Sequence, residues 1–268
     1  MRILITGASG FIGSALARQA SRAGHEVIAL SRSGKAPGAA IALPWAFGLP
    51  LPEGLPGGIH CAVHLAHDFN GPAGAERTID ATLSAIGALR EKGVGRQLFY
   101  SSYSAGAHAV SLYGRTKYAI ERAVEADEDV TVIRPGLVLG EGGIYGRIRK
   151  FARTFPLIPL PGGGKDELPV IDIDKLCRET LAAATAAHCP REINLFETGL
   201  RSLRQLAEDA AAEAGKKPRI VPVPAGMVMA GLQLAELLRL PLPVNSDNLK
   251  GLLANRNAAH VSSLKNEE

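Results

Sequence analysis

Apolar positions in the N-terminal half recur with two alternating periods. Compact β-branched and Leu-rich runs at 2–6, 26–30, 59–65, 96–101 and 130–134 read as strands. Longer stretches at 11–23, 74–92 and 112–126, with apolar residues three and four apart, read as helices. Alternation of this kind predicts a parallel α/β sheet wound on both faces. Residues 33–58 break the rhythm, because prolines at 37, 44, 50, 52 and 56 among many glycines preclude a full crossover helix. A short third strand around Ile41–Leu43, followed by an irregular loop, fits that stretch better.

The order changes after Pro135. Helical patterns at 144–154, 173–187, 202–214 and 225–238 are joined by short strand-like pieces and by the loop Pro159–Gly164. The expected division is therefore a dinucleotide-binding unit over 1–135 and a smaller, mostly helical substrate lobe over 136–268, packed on the C-terminal edge of the sheet. No internal repeat or low-complexity tract is present, and the polar tail beyond Asn255 is expected to fray.

The dinucleotide reading comes from the turn that follows the first strand. Glycines at 7, 10 and 13 separate Arg2–Thr6 (RILIT) from an apolar helical pattern through Phe11, Ile12, Ala15, Leu16 and Ala20. In a Rossmann-like turn Gly7 permits the sharp bend, Gly10 lets the backbone approach a pyrophosphate, and Gly13 lets the helix pack on the sheet. The helix N-terminus then presents free N–H groups and partial positive charge to the phosphates. The second strand ends in Ser31-Arg32-Ser33 without the carboxylate that would accept the ribose 2′-hydroxyl of NAD, while Arg32 suits a 2′-phosphate. NADP is therefore the expected cofactor, with NAD the alternative. Arg2, the apolar stretch and Ala15-Leu16-Ala17 imitate a secretory signal, but three glycines would weaken its helix and its removal would delete the first strand.

Composition narrows the partners. The 268 residues, 46% of them hydrophobic, suffice for a sizeable core, and 30 Lys and Arg against 26 Asp and Glu give a net charge of +4. That mild excess suits phosphorylated ligands and lacks the basic block of a nucleic-acid binder. The longest apolar run, 225–238, is too short to cross a membrane and carries Gln233 and Glu236. Cys61, Cys177 and Cys189 are odd in number and far apart, as in a reduced cytoplasmic protein.

The chemistry is expected from Tyr113 and Lys117, four residues apart on one helix face. A free phenol ionises near 10, and a neighbouring ammonium is expected to lower that value and make Tyr113 a proton carrier near neutrality. The strand 97–102 (QLFYSS) delivers Ser101 and Ser102 to the edge where a cofactor would lie, and a serine hydroxyl there can polarise a substrate carbonyl or alcohol.

The strings TGASGFIG (6–13), VHLAH (63–67), YSSYSA (100–105), YGRTK (113–117) and VIRPGLVLGEGG (132–143) together resemble the extended and atypical short-chain dehydrogenase/reductases, the NAD(P)-dependent epimerase/dehydratase family. The resemblance runs from residue 1 to about 180, with weaker echoes in 159–176 and the Ser202 helix. It implies Tyr113 as general acid/base, Lys117 as its electrostatic partner and Ser102 as substrate hydrogen-bonder. It also implies Ala66 on the adenosine side, with Pro135 and Leu137 near the nicotinamide. Ser9, Phe11, Ile12, Ser31, Arg32, Leu65, Ser101 and Lys117 complete the expected cofactor set around the three glycines. Nucleotide-sugar members often carry Asn where this chain has Leu137, and a longer insert between serine and tyrosine. The short spacing leaves Ser101, Tyr103 and Ser104 as alternatives to Ser102, and weakens the nucleotide-sugar prediction.

The expectation is an NADP(H)-preferring oxidoreductase acting on a small-molecule carbonyl or secondary alcohol, with a non-catalytic redox sensor or a nucleotide-sugar epimerase that retains its cofactor as alternatives. No nucleic acid or membrane partner is expected, and the resemblance makes a homodimer an option. His60, His64 and His67 invite a metal reading, but they do not share one strand face. Arg147, Arg149, Lys150 and Arg153 are read chiefly as a solvated basic face, with an anionic substrate as the rival. Asp172 is expected to cap a helix, and Trp45 to be buried rather than to cover an adenine.

Overall fold

A computed structural model describes residues 1–197, 199–240, 242, 244–255 and 260–264. Its first half runs β1 (Arg2–Thr6), α1 (Phe11–Arg22), β2 (Glu26–Ser31), β3 (Ile41–Pro44), β4 (Cys61–His64), α2 (Gly71–Glu91), β5 (Gln97–Tyr100), α3 (Leu112–Ala123) and β6 (Val130–Pro135). The second half runs β7 (Leu137–Leu139), α4 (Gly143–Thr154), β8 (Leu157–Pro161), β9 (Glu167–Leu168), β10 (Val170–Asp172), α5 (Ile173–Thr185) and β11 (Glu192–Leu195). It ends with β12 (Arg201–Ser202), α6 (Leu203–Ala212), β13 (Arg219–Val223), α7 (Ala225–Leu237) and α8 (Ser246–Asn255).

The central sheet has seven parallel strands in the order β11-β6-β5-β4-β1-β2-β3. Strand order reverses between β1 and β4, and an open sheet of this type binds ligands at that reversal, beyond the carboxyl ends of the strands. Alternate side chains feed two cores. Ile3, Ile5, Val27 and Val63 pack with Leu16 and Ala20 of α1 and Leu176 and Leu181 of α5. Leu4, Ile28 and Ala62 face Ala81, Ala85 and Leu89 of α2, while Phe99 and Val130 meet Ile120 of α3. The sheet is wound on both faces, and Trp45 lies buried beside Leu4 and Ile28 as expected.

Two features depart from expectation. The seventh strand, β11, comes from beyond the division expected at residue 135, as does α5, so the later half of the chain completes the sheet. The tail was expected to fray, yet residues 260–264 lie along β11. Ser263 N donates to Asn194 O at 2.8 Å, Asn194 N donates to Ser263 Oγ at 2.9 Å, and Asn194 Nδ2 donates to Val261 O at 3.1 Å. These bonds use the outer edge of β11, which among the described residues has no strand neighbour on that side. The rest of the tail expectation, at 256–259 and 265–268, lies outside the described residues.

Small two-stranded sheets, β10-β7, β12-β9 and β13-β8, organise the rest of the second half with α4, α6, α7 and α8. The Asp172 carboxylate caps α5 as expected, accepting from the amides of Asp174 and Lys175. Helix α8 was not foreseen. Among the described residues, no helix is long and apolar enough to cross a membrane.

Candidate active site

The glycine turn fits a pyrophosphate. Gly7 adopts φ +68°, and a Cβ there would stand 2.7 Å from the Ala66 amide, so the turn rests directly on the segment leaving β4. Thr6 ties the two together, its Oγ1 accepting from the amides of Leu65 and Ala66 at 3.2 and 3.4 Å. A Cβ on Gly13 would collide with the Gly7 carbonyl, which is why α1 can approach the turn only with glycine at that position. Gly10 caps α1 without any side-chain hydrogen bond, leaving the first-turn donors open to a ligand beside exposed Ser9. Ile12 is half-buried, and the Phe11 ring fills the space that a side chain at Gly142 would need. An NAD(P) pyrophosphate therefore fits the residues present.

The other expected cofactor residues divide. Arg32 stands exposed just beyond β2 and forms no ion pair among the described residues. The Ser31 hydroxyl is occupied by its own turn, donating to Lys35 O and accepting from Lys35 N, so its side chain leaves the cofactor set. Ser101 is likewise withdrawn, because its buried hydroxyl donates to Glu121. Pro135 ends β6 in a buried position, and half-buried Leu137 opens β7 beside Val170 and Leu206.

Tyr113 and Lys117 come to the same edge of the sheet. Gly7 touches Ala66, and the adjacent His67 sets its ring edge-on to Tyr113 with centroids 4.9 Å apart. Phe69, 76% exposed, stacks over Tyr113 at 6.0 Å. The Lys117 ammonium lies 5.7 Å from the Tyr113 ring centroid and donates to the Tyr100 carbonyl, at the end of β5, at 2.7 Å. Ser102 is half-buried and shares a 2.9 Å hydrogen bond with Ser104. Tyr103 is buried edge-on to Phe196, each centroid 5.2 Å from the other, and its ring also meets His260. With Ser101 and Tyr103 committed, the Ser102–Ser104 pair is the remaining hydroxyl group of this segment.

Electrostatics reverse one expectation. Burial pushes the Tyr113 phenol up to about 12, rather than Lys117 pulling it down. The same burial lowers the Lys117 ammonium to about 7, against the opposing pull of the Glu121 carboxylate. The ammonium lies over the ring face and bonds the Tyr100 carbonyl, and in the unliganded site its charge does not outweigh the burial of the phenol. The unliganded site therefore holds its proton on Tyr113. Burial also keeps His64 at about 4 and His67 at about 3, so both rings are neutral at ordinary pH.

Comparison against known proteins bears on the glycine turn and on the fold. The chain resembles the NAD dependent epimerase/dehydratase family. Residues 3–47, covering β1, α1, β2 and β3, match that family's model. An uncharacterised Schizosaccharomyces pombe protein is 64% identical over 33 residues, which are 12% of this chain and 11% of that protein. Among solved structures, a Thermotoga maritima UDP-glucose 4-epimerase is 22% identical with a TM-score of 0.67, over 84% of this chain and 86% of the other. A Staphylococcus aureus nucleoside-diphosphate-sugar epimerase is 15% identical with a TM-score of 0.70, over 96% and 91% of the two chains. A Thermus thermophilus UDP-glucose 4-epimerase complexed with NAD is 18% identical with a TM-score of 0.63, over 97% of this chain and 100% of the other. At these identities the likeness to epimerase/dehydratase structures is one of fold.

The remaining candidates take structural partners. His60 Nδ1 accepts from the Arg2 amide, and His64 bonds Gln97 in the core. Among the described residues, no group of three His, Cys, Asp or Glu is placed to hold a metal. Arg149 and Arg153 both bind Glu213, which ties α4 to the end of α6 and removes them from a free anion-binding face. Three residues of the site had no assigned role in the sequence reading. His67 and Phe69 lie just after β4, where a loop at a strand's carboxyl end was the available signal. Glu121 sits one turn beyond Lys117 and pairs bidentately with Arg134, a position legible from the four-residue spacing alone.

Proposed function

We propose that this protein is an NADP(H)-preferring oxidoreductase of the epimerase/dehydratase type, acting on a carbonyl or secondary alcohol. The observation that carries the reading is adjacency: the open glycine turn contacts Ala66, and the next residue, His67, packs on Tyr113, with Lys117 beneath. Gly7, Ser9, Gly10, Phe11, Ile12 and Gly13 would hold the pyrophosphate, Leu65 and Ala66 would flank the adenosine, and Pro135 and Leu137 would line the nicotinamide side. Arg32, with no carboxylate at the end of β2, supports a 2′-phosphate. When bound, a nicotinamide dinucleotide supplies the hydride donor or acceptor.

The chain's own residues handle the proton and the orientation. The protonated Tyr113 hydroxyl donates to the substrate oxygen as it gains charge, and takes the proton back in the reverse direction. Lys117, fixed by the Tyr100 carbonyl, places positive charge beside the phenolate that donation creates. Ser102, with Ser104 behind it, hydrogen-bonds and orients the same substrate oxygen. Tyr113→Phe is expected to abolish NADPH-dependent reduction across a panel of ketones and aldehydes while leaving NADPH binding intact. Full retained turnover would remove Tyr113 from the reaction. In a binding assay, Arg32→Ala should weaken NADP more than NAD.

A second reading, a redox-neutral nucleotide-sugar epimerase that keeps NAD(P) bound, is favoured by the UDP-glucose 4-epimerase activity named for two of the structural neighbours. Nucleotide released on denaturing the purified protein would support it.

A further inference from the structure

The first turns of α1 and α3 are built in opposite ways. Helix α1 opens with Gly10 and no side-chain cap, whereas the first donors of α3 are all taken by protein oxygens. Ser111 Oγ accepts from Gly114 N at 3.0 Å. The two donors before it are taken from far along the chain: Asp247 Oδ1 accepts from Leu112 N at 2.6 Å, and Oδ2 accepts from Tyr113 N at 3.1 Å. One carboxylate on α8 thus grips the backbone of the very residue that carries the phenol.

Asp247 is itself held in place. Buried Leu249 anchors α8, and Gly251 packs against Ser111, where an added Cβ would lie 3.4 Å from the Ser111 hydroxyl. At the helix start, Ser246 Oγ donates to Glu236 of α7 at 2.9 Å. A negative charge at a helix N-terminus is favourable, and one that bridges two successive amides also fixes the rotation of that turn.

We propose that Asp247 is a positioning residue for Tyr113: delivered by the C-terminal helix, its carboxylate clamps the first turn of α3 and sets where the phenol stands. The inference rests on the reading of Tyr113 as the proton donor, but its test needs no reaction. Lys117 on its own helix and the neutral His67 after β4 face the Tyr113 ring, and Asp247 from α8 holds its backbone amide.

The five tyrosines can be replaced by 3-fluorotyrosine, and the position-113 signal assigned by its loss in Tyr113→Phe. Asp247→Asn keeps the side-chain shape and removes the charge. It is expected to move the position-113 fluorine resonance and to lower its ionisation midpoint, since loss of an anion at the same helix turn favours phenolate. The signals of Tyr100 and Tyr145 should stay in place. Asp247→Ser, which retains one acceptor oxygen, should shift the midpoint the same way. A folded Asp247→Asn or Asp247→Ser protein with an unmoved resonance and midpoint overturns the proposal. On the unaltered chain, the amides of Leu112 and Tyr113 should exchange slowly with solvent, and fast exchange there overturns it without any substitution. Turnover in Tyr113→Phe tests the reaction separately, so loss of one reading is distinguishable from loss of the other.

Discussion

Lys117 shows how one buried side chain leaves a signature on stability. Its ammonium is lowered to about 7 in the folded protein, whereas an unfolded chain carries lysine near its ordinary 10.5. Between those values the unfolded state binds the extra proton, so this group makes the fold more stable as pH rises from about 7 to about 10. Urea unfolding across that range should show the rise, and Lys117→Met should flatten it. An unchanged slope in the variant would mean that the lysine is not held in a desolvated site. At the glycine turn, Gly13→Ala drives a methyl group into the Gly7 carbonyl, so nucleotide binding measured by calorimetry should be lost or severely weakened.

At the scale of elements, α3 is joined to β5, β6 and β11 by a small polar network. Glu121 receives two bonds from Arg134, at 2.8 and 2.7 Å, and a third from Ser101, while Arg134 also reaches Glu192 on β11. Both partners are largely withdrawn from water. Glu121→Leu leaves the Arg134 charge only partly compensated, and is expected to cost about 3 kcal/mol in chemical unfolding. The double variant Glu121→Leu with Arg134→Met should recover much of that loss. Elements of this kind also mark how far the sequence was legible. The strands and helices of the first half, the glycine turn and the four-residue Tyr–Lys spacing follow from local periodicity, and the structure reproduces them closely. Three things did not follow: the return of β11 to the sheet edge, the docking of α8 on α3, and the reversal of the Tyr113 shift. Each depends on contacts between distant segments or on the depth of burial, and neither leaves a periodic trace. The partners of the Ser31 and Ser101 hydroxyls were not legible for the same reason, since they lie across a turn or on another helix.

For the molecule as a whole, the buried titratable groups combine into one curve. His64 and His67 take up protons in the unfolded chain below about 6.5 but in the folded protein only near 4 and 3, so stability falls as the solution is acidified through that window. At the other end, the thiols of Cys61 and Cys177 are raised by burial to about 12. The unfolded chain loses those protons from about pH 9, and stability declines above it. Because the Lys117 contribution is still rising between about pH 7 and pH 9, the combined curve is expected to peak near pH 9 in denaturant titrations. A maximum below pH 6 would contradict the burial of these histidines. Under the proposed function, NADPH would add to this by mass action, about 2.7 kcal/mol at a hundredfold excess over Kd, and raise the thermal midpoint accordingly.

The strip of chain at 260–264 acts as a guard for the sheet. A strand at the margin of a parallel array presents a row of unmet amides and carbonyls, which any passing extended segment can template upon. Here residues 260–264 of the same chain occupy that row on β11. A chain cut after residue 259 would bare it, and should scatter light on warming sooner than the intact protein does.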